Sequence, residues 1–219
     1  MKKTATTLFL LLSFGFFLAG GTASADTVIL PGSETPLIGP GGILDQLYGL
    51  ANLQRVPDAI DTFWVPANGN ATATAKFAAF TQNFGYIPDE GEPGFVDDSF
   101  QSLFTVPGGT NGIGLGGPSA VLNSGNVGFL WALNPSSGRQ WTSLPSKNDD
   151  GLDHMVTWEI TDTPNTWVIA WEDLNGGGDR DFNDLVVEVS LAPVPIPPAI
   201  LLLGSGLVAM IGIRRRLKS

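Results

Sequence analysis

Seven short stretches of the chain alternate apolar and polar positions or run apolar between turn residues: 59–65, 72–80, 99–106, 127–133, 153–160, 166–171 and 184–191. Turn residues, chiefly Gly, Pro, Asn, Asp and Ser, separate them, the punctuation expected of strands joined by turns. Within 153–160, Val156, Trp158 and Ile160 share one face while Met155, Thr157 and Glu159 share the other. In 184–191, Leu185, Val187, Val189 and Leu191 point one way and Asp184, Glu188 and Ser190 the other, the period of a sheet with one buried face. ILDQLYGLANLQ at 43–54 offers at most a short helix, in an opening rich in Gly and Pro. The pattern predicts an all-β fold, an antiparallel β-sandwich of jelly-roll-like type.

The two ends carry different signals. Lys2 and Lys3 precede an apolar run from Leu8 to Leu18, and Ala23-Ser24-Ala25 supplies small residues for cleavage, so 1–25 reads as a signal peptide and Asp26 as the mature start. At the other end, an apolar stretch from Ala199 to Ile213 follows the Pro-rich Val194–Pro198 and leads into Arg214, Arg215, Arg216 and Lys218. Taken with the Pro-rich lead, it is about 30 Å long at helical rise, enough for a transmembrane helix. The basic tail is expected to stay cytoplasmic, which places the preceding chain outside.

That tail, VPIPPAILLLGSGLVAMIGIRRR, resembles the PEP-CTERM class of sorting signals in its VPLPA-type variant. The class occurs on exported proteins of Gram-negative bacteria that make extracellular polysaccharide. The resemblance implies an exosortase, a membrane transpeptidase, as partner, and a place at the cell surface or in a biofilm matrix. Val194, Pro195, Ile196 and Pro197 match the motif, whereas Pro198 intrudes before Ala199. The helix is then either removed during sorting or kept as a permanent anchor. The expected organisation is a signal peptide at 1–25, a β-rich part at 26–126, a second β part at 127–192 and a sorting segment at 193–219.

Charge narrows the partners. All 21 acidic residues lie between 26 and 192, where the basic ones are Arg55, Lys76, Arg139, Lys147 and Arg180 alone. Such a surface repels nucleic acid, whose binding rests on neutralising phosphates, and favours divalent cations. The chain has no cysteine, so disulfides and thiol catalysis are excluded within it.

The acids concentrate in WEDLNGGGDRDFNDLV, from Trp171 to Val186. Glu172, Asp173, Asn175, Asp179, Asp181, Asn183 and Asp184 supply oxygen donors that would repel one another without a counter-charge. Hard oxygen ligands with no Cys or nearby His point to calcium (Ca2+). Counted from Asp173, donors fall at positions three, seven, nine and twelve, with Gly178 at six, an echo of the twelve-residue calcium loop. Position five is Gly177, position twelve is Asp instead of Glu, and no helices flank the loop, so the reading is a calcium loop inserted in a β-hairpin. Gly176, Gly177 and Gly178 let its backbone turn. Trp171 and Phe182 pin it on the core, and Arg180 faces outward or pairs with a carboxylate. Asp149, Asp150 and Asp153 either complete this site or form an Asp-Gly turn.

The acidic turn, the strand opening Asp153-His154, the strand ending Trp171-Glu172-Asp173, and Gly178, Asp179, Asp181, Phe182, Asn183 and Asp184 are similar to a bacterial domain family of unknown function found on surface proteins. The match runs from about Val127 to Leu191. It implies an extracellular β-rich module with a calcium site and no reaction.

Catalytic chemistry finds little footing. His154, the one histidine, is expected to bond to Asp153 or the acidic loop, and no Ser sits in a nucleophile elbow within the exported part. The GIGLGG string at 112–117 lacks the following helix of a dinucleotide site and reads as a flexible connector. The chain is therefore expected to be a structural or binding protein and not an enzyme, with a glycan-active hydrolase the more distant alternative. A lectin-like polysaccharide-binding module is the nearer one, for which Trp141, beside Arg139, is the exposed stacking residue expected.

Overall fold

The computed structural model describes residues 26–65, 67–89, 99–125 and 127–193. The signal segment and all of the sorting segment beyond Pro193 lie outside them. Among the described residues no helix is long and apolar enough to cross a membrane.

The described residues form one short α-helix, α1 (Ile43–Tyr48), and eleven strands: β1 (Leu53–Arg55), β2 (Ala67–Lys76), β3 (Gln82–Asp89), β4 (Gln101–Val106), β5 (Gly112–Ile113), β6 (Ser119–Asn123), β7 (Gly128–Pro135), β8 (Trp141–Thr142), β9 (Met155–Ile160), β10 (Thr166–Trp171) and β11 (Leu185–Pro193). They make two sheets with every pairing antiparallel. The larger runs β1-β9-β10-β11-β2-β5, with β6 also on β2, and the smaller runs β4-β3-β7-β8. The expected all-β sandwich is what forms.

Alternation along each strand builds two cores. Leu185, Val187, Val189 and Leu191 of β11 meet Phe84, Phe129, Trp131 and Trp141 of the smaller sheet between the layers. Val186, Val156, Trp158 and Ile160 face the other way, where α1 and the preceding segment cover them with Leu37, Ile43 and Leu44. The larger sheet is thus buried on both faces at its centre. Burial of these side chains, at about 25 cal/mol per Å², is the main favourable term holding the layers.

Three expectations are corrected. Residues 59–65 are a turn and not a strand, with only Trp64 bridging to Phe129. Local bonds, Ile60 N to Pro57 O at 3.0 Å and Trp64 Nε1 to Asp61 O at 2.8 Å, close that segment on itself. β3, at the middle of the smaller sheet, was not among the expected strands; Gly85 and Pro88 interrupt its pattern. Gly85 sits at a register shift where a Cβ would lie 2.0 Å from the Gln101 carbonyl oxygen, so the close approach of β4 requires glycine. The 112–117 string, finally, is tied down: β5 pairs with β2, and Gly114 and Leu115 donate to Thr74 O at 2.8 and 2.9 Å.

Candidate metal centre

β10 and β11 pair from Thr166↔Ser190 to Trp171↔Leu185, and residues 172–184 loop out beyond that last pair at one end of the sandwich. The aromatic residues at its base divide between the cores: Trp171 is buried between the sheets and Phe182 beneath the amino-terminal segment. Gly176, Gly177 and Gly178 all take positive φ, at 77°, 78° and 46°, as the turn requires. Arg180 and Phe182 also lie at positive φ, 61° and 53°, a local strain that flanks Asp181 and holds it inward. Arg180 is exposed, and its carbonyl accepts from Leu30 N at 2.8 Å.

This winding gathers carboxylates from both ends of the loop. Oxygens of Glu172, Asp179 and Asp181 lie within 4.8 Å of one another, and so do those of Glu172, Asp173 and Asp184. Glu172 belongs to both groups. Glu172, Asp173, Asp179, Asp181, Asn183 and Asp184 line a single cleft of about 280 Å³. Asn175 does not join them: it lies exposed in a 3-10 turn, Asn175–Gly177. The sequence frame that began at Asp173 is therefore shifted, because the shared residue Glu172 precedes it.

Inside the cleft, Asp184 Oδ2 accepts from Asp173 N at 2.7 Å and Asp181 Oδ2 from Asn183 Nδ2 at 2.7 Å. Asp173 also accepts from Gln82 Nε2. Glu172 is 1% exposed, and its Oε2 has no hydrogen-bond partner. Burial pushes the Glu172 carboxyl up to about 7, with the nearby Asp179 and Asp181 adding to the rise. Burial likewise raises Asp181 to about 6, helped by Asp179, and Asp184 to about 9, helped by Asp173 and Glu172. The buried ammonium of Lys76, which donates to the Ala78 carbonyl, is the counter-charge: burial lowers its pKa while Asp173 and Asp184 pull it back up. Its charge acts on two of the carboxylates, Asp173 and Asp184.

Three contributors were not legible beforehand. Ser33 and Glu34 enter the cleft wall from the amino-terminal segment. Nothing in their spacing marks them, since they stand far from the loop in sequence and arrive only because that segment crosses it. Gly32 allows the crossing, as a Cβ there would fall 2.0 Å from Asp181 Oδ2. Lys76 continues β2, where its position in a run of Ala and Thr gave no sign of burial among acids.

A second layer holds the loop. His154 is fully buried, with Nδ1 2.8 Å from the Glu172 carbonyl oxygen and Nε2 3.0 Å from Asp150 Oδ2. Its carboxylate partner is thus Asp150 and not Asp153. Asp150 also accepts from Leu152 N at 3.0 Å and Gly176 N at 2.7 Å, making an Asp-Gly turn that is tied to the loop without entering the acid groups. Burial pushes Asp150 up, but these N–H groups and His154 outweigh it and hold it below its usual value. Trp141 corrects the expectation of an exposed platform: it is fully buried and donates from Nε1 to the Asp173 carbonyl at 2.8 Å. Of the six Trp, only Trp64 and Trp167 are even partly exposed.

An all-oxygen cluster with one unsatisfied buried carboxylate oxygen fits a hard cation such as calcium, which takes six to eight oxygen ligands. Comparison with known proteins finds one partial family match and two distant structural likenesses. The family described as a domain of unknown function (DUF4114) matches residues 99–192, a span that includes the whole acidic loop. No curated protein matches the chain in sequence. Among solved structures, the chain is similar to the C-terminal domain of the BC2L-C lectin from Burkholderia cenocepacia, with 18% identity and a TM-score of 0.36, over 64% of this chain and 99% of that one. It is similar also to the Chromobacterium violaceum lectin CV2L in complex with alpha-methyl-fucoside, at 22% identity and a TM-score of 0.35, over 65% and 96%.

Proposed function

We propose that this chain is an exported β-sandwich stabilised by calcium in its acidic end cleft. It works at the cell surface or in the extracellular matrix as a structural or binding component, sorted there by an exosortase acting on the carboxy-terminal segment. The observation that carries the calcium assignment is Glu172: buried, common to both acid groups, and with Oε2 accepting no hydrogen bond. Left without a cation, the five carboxylates resist joint ionisation, and burial together with their neighbours' charges raises Glu172, Asp181 and Asp184. Glu172, Asp179 and Asp181, with Asp173 and Asp184 on the other side, would hold the ion. The calcium would supply charge neutralisation and a crosslink between the two arms of the loop. No reaction is assigned.

Stacking of polysaccharide on Trp141 is not part of this reading, because that indole is sealed inside the domain. The test is calorimetric unfolding of the chain in EDTA and across a calcium titration. A ligand bound by the native state alone raises stability by about 2.7 kcal/mol at a hundredfold excess over its dissociation constant. Identical melting in EDTA and in excess calcium would overturn the assignment.

A further inference from the structure

The end of the sandwich opposite the acid cleft carries a mostly apolar cleft, with Asp61 and Asn165 as its polar lining residues. Ile60, Phe63, Trp64, Val65, Trp167 and Leu191 border a cleft of about 270 Å³ there. Ile60 is 68% exposed, Val65 65% and Phe63 41%, so three large apolar side chains within six residues face outward at its rim. β11 spans the molecule between the two ends, from Leu185 beside the acid loop to Leu191 in the apolar cleft, about 20 Å at the rise of an extended strand.

The chain leaves the sandwich at this apolar end. Pro193 pairs with Ala67, which itself lines the cleft. From Pro193 to Ala199 the backbone reaches at most about 20 Å. Beyond it come the apolar residues 199–213 and the basic tail. A membrane segment starting there leaves the domain no long tether, and it is the apolar rim that would be held nearest the bilayer. Exposed apolar side chains gathered at one end are what a lipid interface accepts.

We propose that this end, through Ile60, Phe63 and Val65, rests on the outer surface of the lipid bilayer while the carboxy-terminal segment is still attached, with the acid cleft directed away into solvent. The inference rests on the reading of 199–213 as a membrane segment. The partner is the lipid surface itself.

The chain has no native cysteine, so single-cysteine labelling tests this directly on the full chain. Ile60→Cys, Val65→Cys and, in the acid loop, the exposed Asn175→Cys are each labelled with an environment-sensitive fluorophore and reconstituted into phosphatidylcholine vesicles, with and without a nitroxide-bearing lipid quencher. Flotation of the vesicles reports whether the chain is anchored; quenching reports which face meets lipid. The expected result is co-flotation of all three proteins, loss of fluorescence from the labels at 60 and 65, and none from the label at 175. Co-flotation with no quenching at 60 and 65, or with equal quenching at all three, overturns the proposed face while leaving the anchor intact. A label at 65 shielded from water yet untouched by the lipid quencher would place the chain's own tail in the cleft, which also overturns it. Failure to float removes the anchor and the inference with it.

Discussion

The imidazole of His154 lies flat against the indole of Trp141, with ring centroids 3.8 Å apart and planes 5° from parallel. Each ring bonds to the main chain at the start of the acidic loop: His154 Nδ1 to the Glu172 carbonyl and Trp141 Nε1 to the Asp173 carbonyl. A stacked pair from β8 and the start of β9 thereby sets the direction of two successive peptide groups, and with them the carboxylates of Glu172 and Asp173. Position in the cleft is thus transmitted from the core to the loop.

Trp141→Phe keeps a stacked ring but deletes the donor to Asp173, leaving a buried carbonyl unpaired at a cost of about 1–3 kcal/mol. Trp141→Ala adds a cavity and costs about 3–5 kcal/mol. Guanidinium chloride unfolding reads both, and the smaller change should also weaken the calcium-induced rise in melting temperature, because Asp173 is displaced. An unaltered midpoint for Trp141→Phe would contradict the role given to that bond.

Glu172→Gln separates metal binding from folding. The substitution keeps shape but removes the charge that burial and the neighbouring acids already disfavour. In EDTA the variant should therefore melt at or above the temperature of the parent, and in excess calcium it should fall below it. Asp179→Asn, at an exposed position, should lower calcium affinity with little effect in EDTA. Parallel calcium responses in parent and Glu172→Gln would rule out Glu172 as a ligand.

The strands rich in β-branched and aromatic residues were legible because their period of two survives in composition: β9, β10 and β11 fall where alternation places them. β3 was not, since Gly85 and Pro88 serve packing and edge geometry there instead of breaking the strand. The acid cleft was legible in six of its residues, as like charges crowded in a short loop announce themselves. Glu34, Lys76 and the Asp150 tie to Gly176 were not, because long-range contacts bring them in and no local pattern encodes those. The exposure of Trp141 was misjudged for the same reason: a polar setting in sequence says nothing of what covers the residue.

Gly32→Ala tests whether the amino-terminal segment clamps the loop. The new methyl would overlap Asp181 Oδ2, and Asp181 is itself held by two bonds to Asn183. Overpacking of this kind costs about 1–3 kcal/mol. Hydrogen exchange should show the Leu30 amide, which donates to the Arg180 carbonyl at 2.8 Å, exchanging faster in the variant than in the parent. Unchanged protection would mean that the segment yields without loosening its hold.

A second buried acid group predicts how stability depends on pH. Burial raises Asp61 to about 8, aided by Asp153 and Asp58, and raises Asp153 to about 7, aided by Asp58. Burial also pushes Asp58 up, but donors from Thr27 and the Arg55 guanidinium, 2.5 Å away, outweigh it and hold Asp58 below its usual value. A raised carboxylate favours folding while protonated, so the contributions of Asp61 and Asp153 are full below about 4 and are lost as pH climbs through about 7 and 8. Asp58 acts in the opposite sense, its contribution being present above the ordinary carboxylate value and lost in acid. With calcium saturating to fix the acid cleft, the melting temperature should therefore decline between pH 5 and pH 9 by a few degrees, on the order of one or two kcal/mol. Asp61→Asn, which cannot ionise, should flatten the upper part of that decline. If the parent is flat across the range, or the variant runs parallel to it, Asp61 is not the group that titrates.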